Sequence, residues 1–170
     1  MANEQHLAIL RKGVEAWNMW RRQSEGEALE IARTWADLDL MSLRYQIRNN
    51  QQFNNLLSID LQDANLEGEN LQHANLGLGR FLMEFLMSQG WHDDREWNVI
   101  HLNKAKLGKA DLRNAYLFRA QLNGADFSRA NLRGADLGKA NLSETTLFET
   151  KFKGAIRGPI SPKKICTVPS

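Results

Sequence analysis

The sequence predicts an all-β repeat architecture preceded by a helical segment, and three observations carry that prediction. From position 102 to position 152 every fifth residue is Leu or Phe. Two places before each centre from Leu107 to Leu142 stands an alanine: Ala105, Ala110, Ala115, Ala120, Ala125, Ala130, Ala135 and Ala140. The opening of the chain lacks this beat and carries apolar residues at helical spacing instead. A period of five fits neither the 3.6-residue helix nor the alternation of a strand. It fits stacked units, each of which buries its apolar residues only against its neighbours.

The elements follow in chain order. Residues 1–35 read as a helical cap. Leu7, Leu10, Val14 and Trp17 share one face of a helix over 3–24, with Asn3 as N-cap and Gly26 as stop. A second helical stretch runs from Glu27 to Trp35. In 36–57, Met41, Leu43, Tyr45 and Ile47 alternate with polar residues, which favours a strand. Ala36-Asp37-Leu38 matches the repeat, and Leu43 and Phe53 keep its phase. This segment is therefore expected to be a degenerate coil leading into the repeats. The basic helix with Trp17, Trp20, Arg21 and Arg22 could serve a membrane surface or a partner's groove, but an open repeat end needs covering. The cap is the preferred reading.

Repeats are expected over 58–157, with a tail at 158–170. A first run has centres at Leu61, Leu66, Leu71, Leu76 and Phe81, with Glu69 and Gly79 at alanine positions. A buried Glu69 would be costly unless paired, so an open or distorted corner is expected there. The motif is clearest in Ala110-Asp111-Leu112, Ala125-Asp126-Phe127 and Ala130-Asn131-Leu132. It resembles the pentapeptide repeat family. That resemblance implies a right-handed, quadrilateral β-solenoid of four repeats per coil, with the central Leu or Phe and the alanine facing inward. The opening Leu7-Ala8-Ile9-Leu10 to Trp17-Asn18 also resembles the leader of many cyanobacterial members.

Segment 82–99 interrupts the beat. As a degenerate coil it would force Glu84 and Arg95 into alanine corners. As an excursion it would use the helical spacing of Phe81, Leu82, Phe85 and Leu86, followed by a polar loop at His92 to Glu96. The excursion is preferred, and Phe85, Trp91, His92 and Trp97 become candidate interaction residues, because loops breaking a regular scaffold often carry function.

Charge is segregated. Residues 56–99 hold eight acids against two bases, and residues 100–157 hold five acids against eleven bases, within a formal net charge of +2. Residues twenty apart should stack at about 4.8 Å. That register aligns Arg113, Arg133 and Lys153, sets Arg119 on Lys139, and sets Lys109 on Arg129. These seven form a candidate anion-binding strip. Asp111, Asp136 and Glu149 lie near enough to neutralise part of it. Tyr116, Phe118 and Phe148 are the outward aromatics that single-stranded nucleic acid would need.

No catalytic constellation, metal site or cofactor motif emerges. His6, His73, His92 and His101 are scattered, and Cys166 is the single cysteine. His92 with Asp93, Asp94 and Glu96 reads as a solvated loop rather than a metal site. No stretch reaches the roughly 18–20 apolar residues of a membrane span. The N-terminus lacks a basic flank and apolar run, which leads to the expectation of a cytoplasmic protein. The expected function is a non-catalytic interaction or scaffold module with a protein partner. Weak, non-specific binding of nucleic acid by the basic face is the alternative from charge. DNA mimicry toward DNA gyrase is the alternative from the resemblance, and the basic main run speaks against it.

Overall fold

A computed structural model describes residues 2–77, 80–89 and 100–155. The chain opens with α1 (Glu4–Arg11), α2 (Val14–Arg33), α3 (Leu40–Asn49) and α4 (Gln51–Leu57). It continues through β1 (Ile59–Asp60), α5 (Arg80–Ser88) and β2 (Ile100–His101) into the regular repeats.

The repeats form a solenoid held by parallel bridges of one or two residues. His101, Lys106, Asp111 and Tyr116 bridge to Gln121, Asp126, Asn131 and Asp136, each twenty residues on. Gln121, Asp126 and Asn131 repeat the step to Asn141, Thr146 and Lys151. Each coil donates to and accepts from the next: Leu112 N–H reaches the Asn131 carbonyl at 2.9 Å, and Asn131 N–H reaches the Ala110 carbonyl at 2.9 Å.

One turn closes each repeat. The alanine N–H donates to the carbonyl of the preceding centre, as in Ala110 to Leu107 at 3.1 Å. The residue between them, two places after the centre, adopts positive φ, such as 70° at Gly124 and 60° at Glu144. This is the left-handed third residue of a type II turn. Four such turns make one twenty-residue coil, which explains the period of five. Leu107, Leu112, Leu117, Leu122, Phe127, Leu132 and Leu137 are at most 1% exposed, and the alanines between them are equally buried. Each buried Leu contributes about 1.5–3 kcal/mol, and a small residue at the corner, alanine or the buried Thr145, leaves room for it.

The first coil stacks on the second across a longer separation. Ile59 pairs with Ile100, and Asn65, Asn70 and Asn75 pair with Lys106, Asp111 and Tyr116, forty-one residues away. The chain therefore leaves the wall after Gly77 and returns at Ile100. Phe81, expected as a repeat centre, lies in α5 instead. The helical spacing of Leu82 and Leu86 wins over the five-residue phase: both are buried in a helical core, not in the solenoid. Glu69 is exposed, so its corner keeps the turn with the carboxylate outside.

Two linked cores result. Leu7, Leu10 and Trp17 join the solenoid core against the first coil. Ala28 and Ala32 of α2, with Trp35 just after it, pack with Leu43 and Ile47 of α3, Phe53 and Leu57 of α4, and Leu82 and Leu86 of α5. The chain is thus a solenoid joined to a helical unit rather than all-β. Two further sequence expectations are corrected by it. Gly26 does not stop a helix: α2 runs through it, exposed to solvent, and the break falls at Gly13, whose φ of 105° no other residue adopts easily. Segment 36–57 is not a coil of the solenoid but two helices. Its alternation concealed Leu43 and Ile47, one helical turn apart, and Asp39 caps α3 by accepting from Met41 and Ser42 N–H. Asn50 caps α4 through Phe53 N–H in the same way.

Candidate interaction surface

The end of the first coil exposes strand edges, and the helices satisfy them with specific groups. Asn3 N–H donates to the Asp60 carbonyl at 2.9 Å, and Asp60 N–H donates to His6 Nδ1 at 3.1 Å. Trp17 Nε1 donates to the Asn75 carbonyl at 2.8 Å. Asn18 brackets the same strand, donating to His73 O at 3.0 Å and accepting from Asn75 N–H at 2.8 Å. The Arg21 guanidinium, fully buried, donates to Gly77 O at 3.1 Å and to Glu25 at 2.8 Å. Burial depresses the Arg21 pKa, and the facing Glu25 carboxylate opposes that shift. The helices thus close this end of the solenoid.

The walls do not present the seven basic residues as one strip. Lys109 pairs with Glu67 at 2.9 Å, and Arg129 pairs with Glu149 at 2.8 Å while lying 5.8 Å from the centre of the Phe148 ring. Arg113 pairs with Asp111 at 2.7 Å and also reaches Gln72 at 3.1 Å. That contact holds the Asp111 carboxyl below its usual range and raises the Arg113 pKa. Arg119 is 6% exposed, beside the Phe118 ring at 5.7 Å, so it cannot face a partner. Lys139 stays exposed. Arg133 and Lys153 are exposed and have no ion-pair partner among the described residues.

Lys151 belongs with that last pair. It bridges Asn131, two residues before Arg133, and lies two residues before Lys153. The twenty-residue register places it in the column of Asp111 and Asn131, which holds no second cation and so does not stand out as a basic column. The remaining basic surface is thus a corner of the last two coils built from Arg133, Lys151 and Lys153. Tyr116 and Phe118 stack at 6.0 Å on another part of the wall, away from this corner in register.

Among the proposed excursion residues, Phe85 is half-buried against the helical core. Trp91, His92 and Trp97 lie outside the described residues, as do Arg95 and Cys166. No cluster of three His, Cys, Asp or Glu side chains that could hold a metal occurs among the described residues. Nor is any helix among them long and apolar enough to cross a membrane.

The family model for pentapeptide repeats matches residues 100–134 and 125–156, in eight copies. No curated protein matches the chain. Three solved structures are similar. A pentapeptide repeat protein from the Arabidopsis thaliana thylakoid lumen is 26% identical, with 58% of this chain and 58% of that chain covered and a TM-score of 0.25. A pentapeptide repeat protein from Nostoc Pcc 7120 is 22% identical over 58% of this chain and 79% of its own, with a TM-score of 0.23. One from the cyanobacterium Cyanothece 51142 is 21% identical over 71% and 96%, with a TM-score of 0.20. The match to the Arabidopsis protein therefore spans little more than half of that protein's length. Residues 100–156 of this chain are thus similar to the pentapeptide repeat family over the length of that match.

Proposed function

We propose that this chain is a non-catalytic interaction module, a stiff solenoid that presents its walls and its helical unit to a protein partner. The observation that carries the reading is the closed accounting of the coils. Backbone groups bond from coil to coil, and two ion pairs, Lys109–Glu67 and Arg129–Glu149, join neighbouring coils. Such a surface offers shape and a few unpaired groups rather than a reacting centre. A right-handed sense for the coil and a cytoplasmic location belong to the same proposal. The test is capture from native extract with the wild-type chain and with Arg133→Glu/Lys151→Glu/Lys153→Glu. A partner retained by the first and released by the second supports a wall-mediated interaction. Identical capture by both removes this wall from the reading.

Weak polyanion binding is the second reading, favoured by Arg133, Lys151 and Lys153, which have no ion-pair partner among the described residues. DNA mimicry toward gyrase has less support. It needs a continuous acidic face, whereas Glu67, Asp111 and Glu149 are each engaged by a cation.

A further inference from the structure

A groove of about 790 Å³ runs between α1, α2, α4 and the start of the first coil. Its position is set by the cap, because His6 and Asp60 form one wall and Trp20 and Ser24 another. Gln52 and Asn55 on α4 form the opposite rim. The size falls within the roughly 300–1,000 Å³ typical of small-molecule sites. The lining, however, is unlike an apolar pocket. Among the described residues that line it, Trp20 and Leu56 are the large apolar side chains and Asp60 is the charged one.

Several polar groups here keep a donor or acceptor unused among the described residues. Ser24 is 5% exposed, and its hydroxyl has no hydrogen-bond partner among the described residues. His6 is 8% exposed. Its Nδ1 accepts from Asp60 N–H at 3.1 Å, so in the neutral ring Nε2 must carry the proton and act as a donor. Asn55 accepts from Gln51 through Oδ1 at 2.7 Å, which leaves its NH₂ group available. Asp60 uses Oδ1 for Gln62 N–H at 3.1 Å and keeps its other oxygen as an acceptor. Trp20 is held firmly, with its ring 5.1 Å from His6 and 5.0 Å from Trp17.

We propose that this groove binds a neutral polyhydroxylated ligand of mono- or disaccharide size. Sugar hydroxyls each donate and accept, and neighbouring pairs of them match the adjacent donor and acceptor of a side-chain amide. Gln52 and Asn55 supply such amides, Ser24 and His6 supply inner donors, and Trp20 supplies an apolar edge for the C–H face of the ring. An anion would meet the Asp60 carboxylate with no cation in the lining. An apolar ligand would strand the Ser24 hydroxyl and the amides, which is costly for buried polar groups. This site is independent of the wall-mediated interaction proposed above.

The test is two-dimensional NMR of the full chain titrated with glucose, maltose and trehalose, and with glucose 6-phosphate as the charged arm. The expected result is saturable shifts at His6, Ser24 and the Trp20 indole with at least one neutral sugar. Gln52→Ala/Asn55→Ala should weaken that binding by about tenfold, the effect of losing two neutral hydrogen bonds. Both side chains sit on the rim rather than in a core, so the fold should persist. Ser24→Ala should weaken binding as well and provides a separate check from the inner wall. The proposal is overturned if none of the three neutral sugars gives saturable shifts. It is equally overturned if the double variant binds as wild type does, or if the phosphorylated sugar binds more tightly than the neutral ones.

Discussion

The Trp17 indole donates to the Asn75 carbonyl at 2.8 Å, so one side chain both fills the solenoid end and satisfies its edge. Trp17 is fully buried. Trp17→Phe should keep most of the packing while leaving the carbonyl unpaired, at a cost of about 1–3 kcal/mol. Trp17→Ala should cost about 3–5 kcal/mol. Urea denaturation of the two variants separates the terms: a Trp17→Phe variant as stable as wild type would mean that the hydrogen bond contributes nothing.

Leu132 sits in the middle of the continuous core and is fully buried. Leu132→Ala removes that burial and leaves a cavity between coils. A loss of about 2–5 kcal/mol is expected in equilibrium denaturation. A midpoint unchanged from wild type would contradict its place in the core.

Glu144 occupies a turn position with φ of 60°, where a side chain other than glycine is strained. Glu144→Gly should therefore raise stability, by up to about 1 kcal/mol after glycine's own entropy loss. Arg133→Gly, at an exposed position outside the left-handed set, should lower it by roughly 0.5–1 kcal/mol. Thermal unfolding that ranks the two the other way would refute the turn assignment.

Burial depresses the His6 pKa below its ordinary value, against smaller contributions from Asp60 that raise it; Arg21 adds to the lowering. The folded state thus prefers the neutral ring more than the unfolded chain does. This contribution is complete above the unfolded value of about 6.5 and is lost as pH falls from there through the depressed folded value. Protonation also removes the acceptor that Asp60 N–H uses. Stability measured against pH should show an acid-side decline that flattens in His6→Asn, where an amide oxygen can accept in place of the ring nitrogen. An unchanged decline in that variant would place its origin elsewhere.

The basic corner should bind oligonucleotides weakly at low ionic strength, with affinity falling as salt rises. Arg133→Gln/Lys151→Gln/Lys153→Gln should shallow that dependence by about 0.7–0.9 for each phosphate no longer neutralised. Lys109→Gln/Arg129→Gln should change it little, because their charges already face Glu67 and Glu149. Equal effects of the two sets would restore the longer strip.

What the sequence revealed depends on how local the determining forces are. The five-residue beat from Leu102 to Phe152 is readable because each turn repeats the same local requirement. Leu7, Leu10 and Trp17 are readable as a buried face for the same reason. Arg129 beside Glu149 follows from a constant step of twenty. Lys109 beside Glu67 does not: those residues lie forty-two apart, and their meeting depends on where the chain leaves and rejoins the wall. Met41 to Ile47 misleads because a short apolar alternation also contains a helical pair, and only the docked α2, α4 and α5 decide between them. The groove beside His6 is invisible in sequence because its lining comes from four elements, and none of its residues forms a motif.

The detour through α5 has a consequence for how the repeats find their alignment. Sliding a uniform solenoid by five residues sets every Leu on another Leu, so the main run alone distinguishes poorly between neighbouring pairings. The first coil cannot slide in this way. Its step is forty-one residues rather than twenty, and its edge is gripped by Trp17, Asn18 and Arg21. Closing the longer loop adds only about 0.6 kcal/mol per doubling of length, and Leu82 and Leu86 docked in the helical core shorten the search further. The helices therefore act as a starting mark from which each later coil counts its place.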